Sequence, residues 1–245
     1  MLTLAIDSSG QSLSLALFEA DQVVSEFMTN TRIQHSKQLL PLLDLMCETV
    51  NVKPQEIDQI LVVRGPGSYT GLRIGVTVAK MLACTLAKPL YSLSSLQALA
   101  GQVTDPINSL IVPFFNARRQ TVYAAAYAKQ ADGQLDEVVA AGHYQMTDFL
   151  QKLSTLAVKP HFISPDYANF ADLITQNFTE ASYSVQKPAF SLISTARLAE
   201  LTWQAEDPHT FTPQYYKLAE AEENWQADHP DLAQQAGADF VERTD

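Results

Sequence analysis

The chain has 245 residues, 27 acidic and 16 basic, giving a formal net charge of −11, with only nine glycines and two cysteines. So little glycine excludes a collagen repeat, and 47% hydrophobic content is too high for a disordered chain. The sign of the charge argues against a protein that grips nucleic acid through a broad basic face.

The length suits one or two domains with a sizeable core. Residues 2–7 form a short apolar run ending in Asp7, and residues 8–11 read as a turn. Residues 12–18 then alternate, with Leu13, Leu15 and Leu17 on one face and Ser12, Ser14 and Ala16 on the other. A turn at Asp21-Gln22 leads into a third strand at 23–28. Three strands joined by tight turns predict an antiparallel meander, which argues against a dinucleotide-binding start. The opening residues lack a basic region and a long apolar run, so no secretory signal is expected. No segment reaches the about 18 to 20 apolar residues of a membrane span, and the expectation is a soluble, cytoplasmic protein.

Ser36 is placed to cap a helix running to Val50, with a stripe of Leu39, Leu43, Met46 and Val50 widened by Leu40 and Leu42, and a bend at Pro41. A strand at 60–63 is followed by a helix at 72–86 whose only charges are Arg73 and Lys80. Such a helix is either core or oligomer interface. A strand at 90–93 and a short helix at 94–100, capped by Ser94 or Ser95, complete a first set. The second set has strands at 110–115, 120–128 and 138–145, a helix at 147–153, a strand at 161–163 and a helix at 168–176. A final helix is predicted at 195–204. The pattern is a duplicated βββαβα unit. Cys47 and Cys84 both fall in helices and are expected as buried, inert thiols of a reducing compartment.

Residues 65–75 hold four of the nine glycines, Gly65, Gly67, Gly71 and Gly75. The run follows a strand and opens a helix, where free N–H groups meet anions. It is not a Walker A loop, because Leu72-Arg73 follow Gly71, and Thr70 breaks the dinucleotide fingerprint. The plain reading is a tight turn with Thr70 as helix N-cap and Gly75 allowing close packing. Asp7-Ser8-Ser9 has the shape of a phosphate loop in which a carboxylate organises a metal-bound water. The second set should supply a matching acid, but Asn116 stands there, followed by Ala117-Arg118-Arg119. ATP hydrolysis is therefore not expected. Arg118 and Arg119 bind an anion or, by default, pair with surface acids. The five histidines show no metal-ligand spacing, and His35 reads as a capping or surface residue. No Gly-x-Ser-x-Gly elbow is present. Residues 217–245 carry eight acids and two bases, a solvated tail in which Trp225 is the one anchor candidate.

Asp7-Ser8-Ser9, the run His35-Ser36-Lys37-Gln38-Leu39-Leu40-Pro41-Leu42-Leu43, residues 65–75, the run Asn116-Ala117-Arg118-Arg119-Gln120-Thr121-Val122-Tyr123 and Pro213-Gln214-Tyr215-Tyr216-Lys217 together resemble the TsaB family of bacterial tRNA threonylcarbamoyladenosine biosynthesis proteins. The resemblance covers roughly residues 1–225. It implies an α/β actin-like (ribonuclease H-like) fold of two lobes, 1–101 and 102–190, with 194–206 packing back on the first and an acidic tail at 217–245. It implies a role in placing threonylcarbamoyl on N6 of adenosine 37 in tRNAs reading ANN codons. In that role the chain is a non-catalytic partner of a TsaD-like catalytic subunit, joined by a TsaE-like ATPase, homodimeric when alone, and in contact with tRNA only through the complex. No cofactor is expected on the chain alone, with ATP and magnesium bound only weakly or at the complex interface.

The resemblance directs attention to the helices at 36–50 and 71–87 as the partner interface, with Leu39, Leu43, Met46, Leu72, Val76, Ala79, Ala83 and Leu86 as candidates. Asp7, Ser8, Ser9, Gly65, Gly67, Ser68, Thr70, Gly71, Asn116 and Arg118 are candidates for a vestigial phosphate site. The catalytic paralogue uses two histidines four apart; Thr31 and Leu39 flank His35 here, and Asn116 stands where an aspartate is usual in the family. The rival reading is an actin-like ATPase or small-molecule kinase using Asp7, Asn116 and the 65–71 turn. A metalloprotease lacks the ligand spacing.

Overall fold

The structure is a computed structural model that describes residues 1–31, 35–104, 110–130 and 132–217. Strands β1 (Leu2–Asp7), β2 (Leu13–Glu19) and β3 (Gln22–Thr29) form the expected antiparallel meander. Helix α1 (His35–Val50) runs through Pro41 and leads to β4 (Gln59–Val63), which lies parallel to β1. Helix α2 (Tyr69–Leu86), β5 (Leu90–Leu93) and α3 (Ser95–Ala100) follow, with β5 parallel to β4.

The second half repeats the plan. Strands β6 (Leu110–Asn116), β7 (Thr121–Lys129) and β8 (Leu135–Gln145) form a second meander. Helix α4 (Met146–Ser154), β9 (Pro160–Ile163), α5 (Ala171–Asn177) and β10 (Ser184–Val185) complete it, with β9 parallel to β6 and β10 parallel to β9. Each half therefore orders its strands 5-4-1-2-3, and β11 (Gln204–Glu206) adds an antiparallel edge on β5. Two mixed sheets of this order, each with helices, make the fold actin-like (ribonuclease H-like).

Both faces of each sheet are covered, so alternation sorts side chains between cores. Leu4 and Ile6 of β1 with Leu13, Leu15 and Leu17 of β2 pack against α1 and α2. Ala5, Ala16, Phe18, Leu61 and Val63 face the other way, into a core shared with Ile111, Phe115 and Tyr127 of the second sheet. A third core buries Val112, Phe114 and Phe162 against α4 and α5. Among the described residues no helix is long and apolar enough to cross a membrane.

Three expectations change. Residues 195–204 are not a helix; a short 3₁₀ segment (Thr195–Glu200) precedes β11. Distant side chains tie down the start of this segment: Gln102 Oε1 accepts from Ser194 N–H, Ser14 Oγ from Thr195 N–H, and Glu26 Oε1 from Ala196 N–H. Cys47 is buried but Cys84 is exposed, because it lies on the outer side of α2. The two-residue strand β10 carries too short a pattern to be foreseen. Within the acidic tail, residues 218–245, with Trp225, lie outside the described residues.

Candidate functional site

Asp7 ends β1 with its side chain on the side of the shared core, 1% exposed. Its Oδ1 accepts from Ser9 N–H at 2.9 Å. Asp7 Oδ2, Ser9 Oγ and His35 Nδ1 are buried and make no hydrogen bond among the described residues. Burial pushes the Asp7 carboxyl from 3.8 up to about 6, while hydrogen bonding from Ser9 and electrostatic attraction to the nearby His35 pull it part-way back. His35 begins α1 and its Nε2–H donates to Gly10 O at 3.1 Å, so it ties the helix start to the β1–β2 turn.

The glycine run closes on that same turn. A Cβ on Gly67 would lie 2.2 Å from Ser9 O, one on Gly71 2.1 Å from Ser8 O, and one on Gly75 2.3 Å from Ser8 Oγ. Ser68 N–H donates to Ser9 O at 2.7 Å, and Ser8 Oγ–H donates to Gly71 O at 2.8 Å. The helix N-cap is Ser68, whose Oγ accepts from Gly71 N–H, rather than Thr70, which sits inside the first turn. Gly65 has φ +118°, and a Cβ there would lie 2.4 Å from Gln214 O. The glycines thus permit close backbone packing, and the Ser68 and Gly71 N–H groups are already bonded within the chain. With Asp7 sealed away and Asn116 neutral, these residues do not fit a magnesium triphosphate, and no step through one follows.

Across the cleft, the β6–β7 turn is built differently. Asn116 Oδ1 accepts from Arg118 N–H at 2.8 Å, and Arg118 O accepts from Thr121 N–H at 2.8 Å. Arg118, Arg119 and Gln120 have φ of +67°, +47° and +61°, three consecutive left-handed residues without a glycine. Asp166, in the loop after β9, accepts from Asn116 N–H at 2.9 Å. Sequence reading missed Asp166. It stands in the loop after the second parallel strand, the place that the glycine run holds after β4, and that equivalence was its one sequence signal.

Tyr215 and Lys217 form the remaining wall. The Tyr69 and Tyr215 rings lie 4.9 Å apart, Arg73 sits 4.3 Å over the Tyr69 ring, and Arg73 Nε–H reaches Tyr215 Oη at 3.4 Å. The Tyr123 and Tyr216 rings meet at 6.3 Å. The cleft, half open to solvent, is about 710 Å³. Of the phosphate-site candidates, Ser9, Gly67, Ser68, Thr70, Asn116 and Arg118 line it; Asp7, Ser8, Gly65 and Gly71 do not.

Most of the interface candidates face inward in this chain, though Leu39 also lines the groove described below. Leu39, Leu43, Met46, Leu72, Val76, Ala79 and Ala83 are all buried within this chain, and Leu86 is half-buried. The strongest apolar stripe of each helix faces its own sheet, as amphipathic packing requires. The outward residues are Leu40, 43% exposed, Leu45, 47%, and Met81, 46%. Leu40, Ile74 and Val78 share a shallow groove of about 500 Å³ with Tyr69, Thr70 and Arg73. Tyr69 and Thr70 line both this groove and the cleft.

Residues 22–225 match a family model described as "TsaD: tRNA N6-adenosine threonylcarbamoyltransferase". The chain is 34% identical over 232 residues to the tRNA threonylcarbamoyladenosine biosynthesis protein TsaB of Bacillus subtilis, covering 92% of this chain and 98% of that one. It is 31% identical over 134 residues to the protein of the same name from Escherichia coli, 54% of this chain and 58% of that one. A solved Pseudomonas aeruginosa structure, described as similar to peptidase YEAZ, superposes with a TM-score of 0.73 at 19% identity, over 88% of this chain and 99% of that one. At that identity the likeness shows the fold alone.

Proposed function

The chain belongs to the TsaB family and takes part in tRNA threonylcarbamoyladenosine biosynthesis, and from that premise we propose that it acts as a non-catalytic partner subunit. It docks a TsaD-like catalytic subunit through the outer face of α1 and α2 and so enables threonylcarbamoyl transfer to N6 of adenosine 37 in tRNAs reading ANN codons. The observation that carries this reading is the apolar groove along Leu40, Ile74 and Val78, on two helices whose inner stripes are already satisfied. The same face serves a second copy when the chain is alone, and a TsaE-like ATPase joins the assembled pair. Nucleotide and magnesium act at the complex, in the cytoplasm, rather than on this chain. The sealed Asp7 and the neutral Asn116 support that division of labour over the rival ATPase or kinase reading.

Reconstituted threonylcarbamoyl transfer should depend on the chain, and Leu40→Glu with Thr77→Glu, both exposed in the groove, should abolish both copurification with the TsaD-like subunit and transfer while leaving the melting curve unchanged. Ala79→Glu is no test, because a charge at a fully buried site unfolds the helix packing. Transfer without the chain, or normal copurification of the double variant, would overturn the proposal.

A further inference from the structure

We propose that the hinge between the two halves is locked, with Gln102 as its pin, so that the cleft keeps one width whether or not a ligand or partner is bound. The inference rests on the fold alone and not on the docking face. The chain passes from the first half to the second beyond α3 and returns just before the 3₁₀ segment, so any opening or closing of the cleft has to turn about these two crossings. Gln102 ties them together. It is 5% exposed, and its amide is fully spent there. Nε2–H groups donate to Ala98 O at 2.9 Å and Ser194 O at 3.3 Å, and Oε1 accepts from Ser194 N–H at 3.2 Å. The pairing with Ser194 uses one donor and one acceptor on each side, as two strands would. Arg197 Nη1–H donates to Gln102 O at 3.0 Å and ties the same crossings a second time. The returning segment is in turn anchored on the first sheet, where Ser194 Oγ–H donates to Glu26 Oε1 at 2.7 Å and Thr195 N–H to Ser14 Oγ at 3.1 Å.

Strand β7 is held to the first half at both ends. At the end away from the cleft, Lys129 Nζ–H donates to Val103 O at 2.9 Å, and Thr202 Oγ1–H donates to Gln134 Oε1 in the β7–β8 turn. At the cleft end, Tyr216 is buried in the core that the two sheets share, with its ring 6.3 Å from that of Tyr123. A rotation of the second sheet has to break contacts at one of these ends. Between them, Phe18 of β2 and Leu96 and Leu99 of α3 are buried with Ile111 and Tyr127 of the second sheet. A close-packed interior of this kind takes discrete arrangements and does not deform continuously. A fixed cleft suits a chain that positions another subunit better than one that closes over a substrate, because a surface already ordered costs less to dock.

The test is a double electron–electron resonance measurement on the full chain, with nitroxides on Asp21→Cys in the β2–β3 turn and Gln151→Cys in α4, both exposed, in a Cys84→Ser background. The expected distance distribution is a single narrow peak, unchanged by Mg-ATP and by the TsaD-like subunit. Gln102→Ala with Arg197→Ala should broaden it, and hydrogen exchange at the Ser194 amide should speed up about tenfold with the loss of its partner. A milder pair, Lys129→Met with Thr202→Ala, removes only the contacts at the β7–β8 turn and should broaden the peak less. Two peaks in the wild-type chain overturn the proposal, as does a shift on adding Mg-ATP or an unbroadened peak in both variants. The wild-type distribution is decisive without any partner, so failure of the docking face leaves this test standing.

Discussion

The two halves share one strand order and differ at the one turn where a nucleotide-binding protein of this class would need them to match. In the first half, the turn after β1 is buried, and Gly67, Gly71 and Gly75 press against Ser8 and Ser9 so closely that no Cβ fits. In the second half, the turn after β6 is exposed, and it holds three left-handed residues with no glycine to ease them. Sheet topology follows from the hydrophobic alternation and is preserved in both. Turn chemistry is not constrained by that alternation, so one copy has become a packing joint and the other a display of cations.

The comparison breaks most visibly at the packing joint. Gly71→Ala places a methyl 2.1 Å from a backbone carbonyl that cannot step aside. Overpacking of this kind costs about 3 kcal/mol, which for a chain of this size lowers the melting temperature by about 6–12 °C. Gly10→Ala, in the same turn with nothing within 4 Å, should be neutral or slightly stabilising. Circular dichroism melts of the pair decide it: a Gly71→Ala protein that melts like wild type would mean the two segments are not sealed together.

The buried carboxyl gives the next largest effect. Its pKa is raised on folding from 3.8 to about 6, so the folded state binds the proton more tightly than the unfolded one. Stability from this group is therefore full below about pH 3.8 and is lost as pH rises through about 6, amounting to about 2–3 kcal/mol. Asp7→Asn keeps an acceptor for Ser9 N–H and removes the ionisation. Urea unfolding should show the variant gaining on wild type across that window and remaining more stable at pH 7. Parallel pH profiles for the two proteins would show that Asp7 carries no such penalty. In the second half, Asn116 already occupies the equivalent strand end as a neutral amide.

The sequence patterns made some of this legible. Leu13, Leu15 and Leu17 alternate with Ser14 and Ala16, and that alternation placed β2 and its two faces before any coordinates. The five short motifs identified the family and so the fold. What hydrophobic spacing does not separate is an inward stripe from an outward one when both are apolar. Leu39 and Leu40 are neighbours of equal hydrophobicity, yet one is 1% exposed and the other 43%. Residues 195–200 have helical composition, but they form a short 3₁₀ segment whose start is tied to Ser14 and Glu26, more than 160 residues away. Asp166 belongs to no motif and acquires meaning only beside Asn116. Six of ten phosphate-site candidates line the cleft because the turns that bear them flank it; the other four serve the packing behind it.

The smallest effect probes the cation-bearing turn without touching its cations. Gln120 has φ +61° and is exposed, and its carbonyl accepts from Met146 N–H at 3.0 Å. Glycine there keeps that backbone bond and removes the Cβ penalty of about 1 kcal/mol, partly offset by the greater freedom of glycine in the unfolded chain. A net gain of about 0.5 kcal/mol follows, or about 1–2 °C. If Gln120→Gly melts lower than wild type, the left-handed run is held by contacts of the Gln120 side chain, and the contrast between the two turns weakens from strain against packing to exposure against burial.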